Sequence, residues 1–185
     1  MNTVAALRPA PAGRYPAGPE GLYEALFAAA SITGTDHVLD FGCGAGLLTR
    51  QAARRAPQGR VVGLDNSQAL LRSATLRSTR DRLTNTFYIW GDAEVHPFLK
   101  GFYDVAISCG GVPLFADRTR AFGNIAHGLR RGGRLAFVCP RPPAPASPSG
   151  LDLVRETLWN TGFRNVSVTP LPTDPGMWVV GAERS

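Results

Sequence analysis

Val38-Leu39-Asp40-Phe41-Gly42-Cys43-Gly44-Ala45-Gly46 is the stretch on which the reading of this chain turns. Apolar residues around one acid lead straight into three glycines at alternate positions. That pattern puts a tight turn at the end of a buried strand, because glycine accepts positive φ and has no Cβ to keep a ligand off the backbone. Leu47 to Arg55 reads as a helix, so its free N–H groups point at the same spot. Strand, glycine turn and helix start make a nucleotide-type site. A dinucleotide turn would read G-x-G-x-x-G. Here the third glycine comes one residue early, and Asp40 would repel a diphosphate and attract an ammonium group.

Four further segments follow in order. Val61-Val62-Gly63-Leu64-Asp65-Asn66-Ser67 is a second strand ending in an acid, 25 residues after Asp40. A carboxylate there can accept from two hydroxyls at once. Gly91-Asp92-Ala93-Glu94 is a turn carrying an acid. Tyr103-Asp104-Val105-Ala106-Ile107-Ser108 and Leu129-Arg130-Arg131-Gly132-Gly133-Arg134-Leu135-Ala136-Phe137-Val138 read as a fourth strand, and as a helix end, glycine stop and fifth strand. Together with Asp40–Gly46, these resemble the ordered motifs of the class I S-adenosylmethionine-dependent methyltransferases, over roughly residues 14 to 182.

The resemblance implies S-adenosylmethionine as cofactor. It implies a binding set of Asp40, Gly42, Cys43, Gly44, Gly46, Asp65, Asn66, Asp92, Ala93 and Ser108, with Asp65 on the ribose hydroxyls and Asp92 on the adenine amino group. Each acid also has a local reading. Asp40 can serve the helix N-terminus, Asp65 can cap the helix near Ser67, and Asp92 can be a turn residue.

Periodicity and breakers place the remaining elements. A helix begins near Leu22 and ends near Gly34. Strands are expected at Val38–Phe41, Val61–Leu64, Thr86–Trp90, Val105–Ser108, Leu135–Cys139, Phe163–Thr169 and Met177–Ala182. Helices are expected at Leu47 to about Ala56, Ser67–Leu76, Thr119–Leu129 and Leu151–Thr161. The alternation predicts an α/β, doubly wound, mostly parallel seven-stranded sheet with helices on both faces. The family's strand order is 3-2-1-4-5-7-6, with a final antiparallel pair. Residues 1–13, rich in Ala and Pro, read as a flexible N-terminal segment, and 14–185 as a single domain.

The chain has 185 residues, 44% of them hydrophobic, and a net charge of +6 carried almost wholly by arginine. No apolar run reaches membrane-spanning length and no secretory leader is read, so a cytoplasmic protein is expected. Cys43, Cys109 and Cys139 form no zinc spacing, and no metal is expected. The arginines read as solvated helix faces. Basic residues do not interleave with aromatics, which speaks against nucleic acid.

The expected activity is methyl transfer to a small molecule, in the manner of secondary metabolism. Tyr15, Tyr23, Cys109 and Gly110 are the expected substrate pocket, and His96 the candidate general base. The connection Pro140–Gly150 is short, so the pocket is expected to be shallow, or completed by a second copy or a partner chain. Two other readings stay open: the same fold promoting a cyclisation or rearrangement without methyl transfer, and a non-catalytic partner subunit.

Overall fold

The structure is a computed structural model that describes residues 21–112, 115–140, 150–171 and 174–185. The 1–13 segment, Tyr15 and most of the Pro140–Gly150 connection lie outside the described residues. The elements run α1 (Leu22–Ala30), β1 (His37–Phe41), α2 (Leu47–Arg55), β2 (Arg60–Asp65), α3 (Gln68–Arg80), β3 (Thr86–Trp90), β4 (Tyr103–Cys109), α4 (Arg118–Gly128), β5 (Leu129–Pro140), α5 (Gly150–Asn160), β6 (Phe163–Leu171) and β7 (Asp174–Arg184).

The sheet order is β3-β2-β1-β4-β5-β7-β6, as expected. β1 to β5 pair in parallel, and β7 runs antiparallel between β5 and β6. β1 is central and, past His37, apolar but for Asp40, as a strand covered on both faces should be.

Side chains alternate between two cores. One face packs Leu39, Phe41, Leu64, Leu135 and Phe137 against Phe122 and Ile125 of α4 and Leu158 of α5. The other packs Val38, Val61, Ile107 and Val138 against Leu22 and Leu26 of α1 and Leu48 and Ala52 of α2. Fully burying one such side chain is worth about 1.5–3 kcal/mol.

α1 ends at Ala30, short of Gly34, and β7 runs Asp174–Arg184, longer than Met177–Ala182; two further differences have a visible cause. α3 runs four residues past Leu76, because Ser78 is buried and its hydroxyl meets Tyr88 Oη at 2.9 Å, which pins the polar last turn to β3. α4 stops at Gly128, and Gly132-Gly133 lies within β5 instead of ending the helix. Leu129 is buried and pairs with Tyr103, so the chain enters the sheet early and then shifts register before Arg134. Between β3 and β4, residues 91–102 form turns and no helix.

Candidate functional site

The glycine turn is built as its spacing suggests, but each glycine answers a different constraint. Gly42, Gly44 and Gly46 have φ of 72°, 54° and 72°, a region costly for residues with a Cβ. A Cβ on Gly42 would lie 2.9 Å from Gly111 Cα, and one on Gly46 would lie 2.5 Å from Tyr88 Oη. Of the three, Gly44 alone faces open space. Its bare backbone is therefore the surface a ligand can lie on.

The turn is tied down from three sides. Gly42 N and Cys43 N donate to Leu64 O at 2.8 and 3.1 Å. Asp65, at the end of β2, accepts from Gly44 N through Oδ2 and from Ser67 N through Oδ1, each at 2.8 Å. Each oxygen keeps a further lone pair for a ligand hydroxyl. Arg50 folds back from α2 and donates to Ala45 O and Gly46 O, both at 2.9 Å, while its Nε meets Asp81 at 3.2 Å. The sequence puts Arg50 on a solvated helix face. It is 6% exposed instead, because the carbonyls of the turn give its guanidinium buried acceptors.

Asp40 stands beneath the turn, 1% exposed. Its Oδ2 accepts from Thr49 Oγ1 at 2.5 Å, and its Oδ1 has no hydrogen-bond partner. Burial pushes the carboxyl up to about 7, the Asp65 charge adds to this, and the Thr49 bond opposes it. A buried acid with an open acceptor, beside a second acid, favours a cation nearby.

The cleft is lined by Gly42, Leu64, Asp65, Asn66, Gly91, Asp92, Ala93, Glu94, Gly111 and Phe115. It gathers five residues expected from sequence: Gly42, Asp65, Asn66, Asp92 and Ala93. Asp92 also does local work, since its Oδ1 accepts from Glu94 N at 2.9 Å and its carbonyl from His96 N at 2.8 Å. Phe115, stacked on Phe41 with ring centroids 5.9 Å apart, and Leu64 supply apolar walls that the sequence reading does not name.

Two clamps also escape the sequence reading. Asn124 of α4 donates to Ala93 O and His96 O, both at 2.8 Å. Glu94 accepts from Ala116 N at 2.7 Å, which ties the loop after β4 to the Asp92 turn. Neither has a local sequence signal, because the partners are main-chain groups brought up by the fold.

The remaining expected residues lie around this centre. Ser108 is fully buried and accepts from Gly111 N at 3.2 Å, so it holds the loop from below. Gly110 has φ 92° and lets the chain turn after Cys109. Burial raises the Cys109 thiol to about 12 and the Cys43 thiol well above its ordinary value, so neither is a ready nucleophile. Tyr23 is half-buried against the α1 side of the core.

His96 does not line the cleft. It faces a groove beside β3 with Phe87, Leu99 and Phe102, packs edge-on against Phe98 at 4.9 Å, and burial holds its imidazole below the ordinary value. His37 packs at a tilt against Phe102 at the opposite end of the sheet, and His127 lies in the last turn of α4. Among the described residues no group of three His, Cys, Asp or Glu could hold a metal, and no helix is long and apolar enough to cross a membrane.

A family model described as a methyltransferase domain matches residues 38–133. An uncharacterised methyltransferase of Bacillus subtilis is 31% identical over 63% of this chain and 63% of its own length. The trans-aconitate 2-methyltransferase of Deinococcus radiodurans is 36% identical over 56% of this chain and 37% of its own length. The nocamycin O-methyltransferase of Saccharothrix syringae is 32% identical over 57% and 38%. The matched region thus spans roughly four- to six-tenths of these relatives.

Among solved structures, a SAM-dependent methyltransferase from Aquifex aeolicus superposes with a TM-score of 0.76 at 16% identity, over 89% of this chain and 90% of that one. The cyclase SpnF superposes with a TM-score of 0.76 at 17% identity, over 88% and 80%. At such identities the likeness is one of fold alone.

Proposed function

This chain belongs to the methyltransferase domain family, and from that premise we propose that it is an S-adenosylmethionine-dependent methyltransferase of a small molecule. The observation that carries the proposal is the open face of Gly44, in a turn whose neighbours Asp65 and Asp92 line one cleft. The residues present fit the cofactor. Asp40 offers an unpaired buried oxygen that would suit a cationic amine, Asp65 has lone pairs left that would serve ribose hydroxyls, and Asp92 with Asn66 borders an apolar slot between Leu64 and Phe115.

When bound, the cofactor supplies an electrophilic methyl group on a sulfonium centre. The chain's own work is to bind, align and exclude water. Asp65 and Arg50 fix the turn, Asn124 and Glu94 fix the opposite wall, and Gly111 and Phe115, beyond β4, border the cleft. A small-molecule acceptor agrees with relatives named for trans-aconitate and nocamycin, and the second of these points toward secondary metabolism. The three cysteines are free, and a cytoplasmic location is part of the proposal.

A second reading keeps the cofactor and drops the transfer. All three histidines of the chain lie away from the carboxyl ends of β4 and β5, where an acceptor proton would be removed. The sulfonium would then act as a fixed charge in a cyclisation or rearrangement.

Calorimetric titration tests the common premise, with S-adenosylmethionine, S-adenosylhomocysteine and NADH as ligands. Saturable binding of the first two alone is expected, and absence of both removes the proposal. Substrate-dependent formation of S-adenosylhomocysteine supports transfer. Turnover without it supports the second reading.

A further inference from the structure

The two edges of the sheet are built differently. β6 carries Arg164, Pro170 and Asn165, the last at φ 55° inside a register shift between Arg164 and Ser167. Charge, proline and a bulge are the devices that keep an edge from pairing with another chain. β3, at the other edge, is Thr86-Phe87-Tyr88-Ile89-Trp90, with no charge, no proline and unbroken register against β2. Phe87 and Trp90 are 46% and 50% exposed. With Leu76, Val95 and Leu99 on the flanking segments, they make five of the seven large apolar side chains exposed among the described residues.

The free backbone groups have a definite symmetry. Asn85 O accepts from Val61 N, and Gly91 N donates to Asp65 O. By the alternation of a ladder, the odd-numbered residues of β3 face β2, while Thr86, Tyr88 and Trp90 turn their N–H and C=O groups outward. That outward set is centred on Tyr88. Antiparallel pairing with a second copy, about a two-fold axis at Tyr88, sets Thr86 opposite Trp90 of the second copy and uses all three residues on each side. Phe87 then lies opposite Ile89 of the second copy, where side chains approach closely.

Charge selects the same direction. Arg77, Arg80 and Arg82 precede the strand, and their side chains have no hydrogen-bond or ion-pair partner among the described residues. Asp81 among them is engaged by Arg50 and Arg54. Asp92 and Glu94 follow the strand; they line the cleft and, among the described residues, accept only from neutral N–H groups, so their charges remain at that end of the edge. Antiparallel pairing sets the basic end of each copy beside the acidic end of the other. Parallel pairing would set like against like.

We propose that β3 is a self-association surface, through which two copies pair antiparallel to extend the seven-stranded sheet across a two-fold axis. The proposal rests on the edge; Asp92 and Glu94 border both the edge and the cleft, and the pairing holds whether or not the cleft takes the cofactor.

Sedimentation velocity on the full chain over a concentration series tests it. A species of twice 19.7 kDa is expected to form with rising concentration. Thr86→Pro removes an outward N–H while leaving the bonds to β2, and Phe87→Lys puts charge on the edge. Each should weaken dimerisation by about tenfold or more, with the melting temperature unchanged when measured at concentrations where the protein is monomeric. Arg80→Glu with Arg82→Glu lies outside the strand, so it tests the pairing direction without touching the ladder, and it should weaken dimerisation likewise. A monomer up to about 100 μM would overturn the proposal. So would a dimer that all three variants leave intact.

Discussion

At the scale of single residues, Asp40, Asp65 and Gly44 carry separable predictions. The Asp40 acid rises from 3.8 to about 7 in the folded chain because burial penalises its charge. A folded value above the unfolded one means that the native state holds the proton more tightly. The contribution to stability is then fully present below about pH 4, is lost as pH rises toward 7, and is level above. The loss is on the order of 4 kcal/mol at most, since each tenfold gain in proton affinity is worth about 1.4 kcal/mol. Thermal melts across this window should show Asp40→Asn lacking that part of the slope. Parallel slopes in both proteins would show that Asp40 ionises freely. Asp65→Ala removes a charged acceptor and should weaken cofactor binding by roughly 1.5–3 kcal/mol, read by calorimetry. It also frees the N–H groups of Gly44 and Ser67, so a fall in melting temperature should accompany it. At Gly44 an added Cβ meets no atom within 4 Å, yet Gly44→Val forces a branched side chain to φ 54° and fills the open surface. A folded variant without measurable cofactor binding is expected, and normal affinity would remove that surface from the site.

At the scale of elements, the legible and illegible parts divide by range. The strands are legible because short apolar or β-branched runs sit between glycine and proline breakers, and β3 falls where its composition puts it. The glycine turn is legible because only glycine suits three positive-φ positions in five residues. Arg50 is not, since an arginine on a helix reads as solvated until the fold brings carbonyls to it. The same holds for Asn124 and Glu94, whose partners lie 22 to 31 residues away. Asp65 and Asp92 show why motif reading is only half sufficient. Each does the local turn work open to it while also lining the cleft. If Arg50 is what makes the turn rigid, Arg50→Met should cost about 2–3 kcal/mol, because it keeps the bulk and loses two charged bonds to buried carbonyls. Urea unfolding measures that cost, and cofactor affinity should fall along with it. A stability loss under about 1 kcal/mol would mean that water replaces the guanidinium at those carbonyls.

At the scale of the whole molecule, one sheet serves two cores, and that sets how the chain should unfold. Every central strand sends alternate side chains to opposite faces, so neither core can melt without freeing backbone that the other uses. Sequence alternation implies both faces but does not say which helix covers which. That assignment follows from the right-handed crossovers between parallel strands. Leu26 of α1 and Phe122 of α4 are almost wholly buried, at 0% and 2% exposure, and belong to different cores. Leu26→Ala should cost about 2–5 kcal/mol and Phe122→Ala about 3–5 kcal/mol by lost transfer energy and cavity formation. The sites share no packing neighbours across the sheet, so their effects should add within about 0.5 kcal/mol. The decisive measurement is urea unfolding of both single variants, followed by fluorescence and circular dichroism on the same samples. Coincident transitions with an unchanged denaturant slope are expected, since a sheet common to both cores makes them one cooperative unit. A separate early transition in Leu26→Ala alone would show that α1 and its face detach first. The α1 layer would then be less stable than the sheet beneath it.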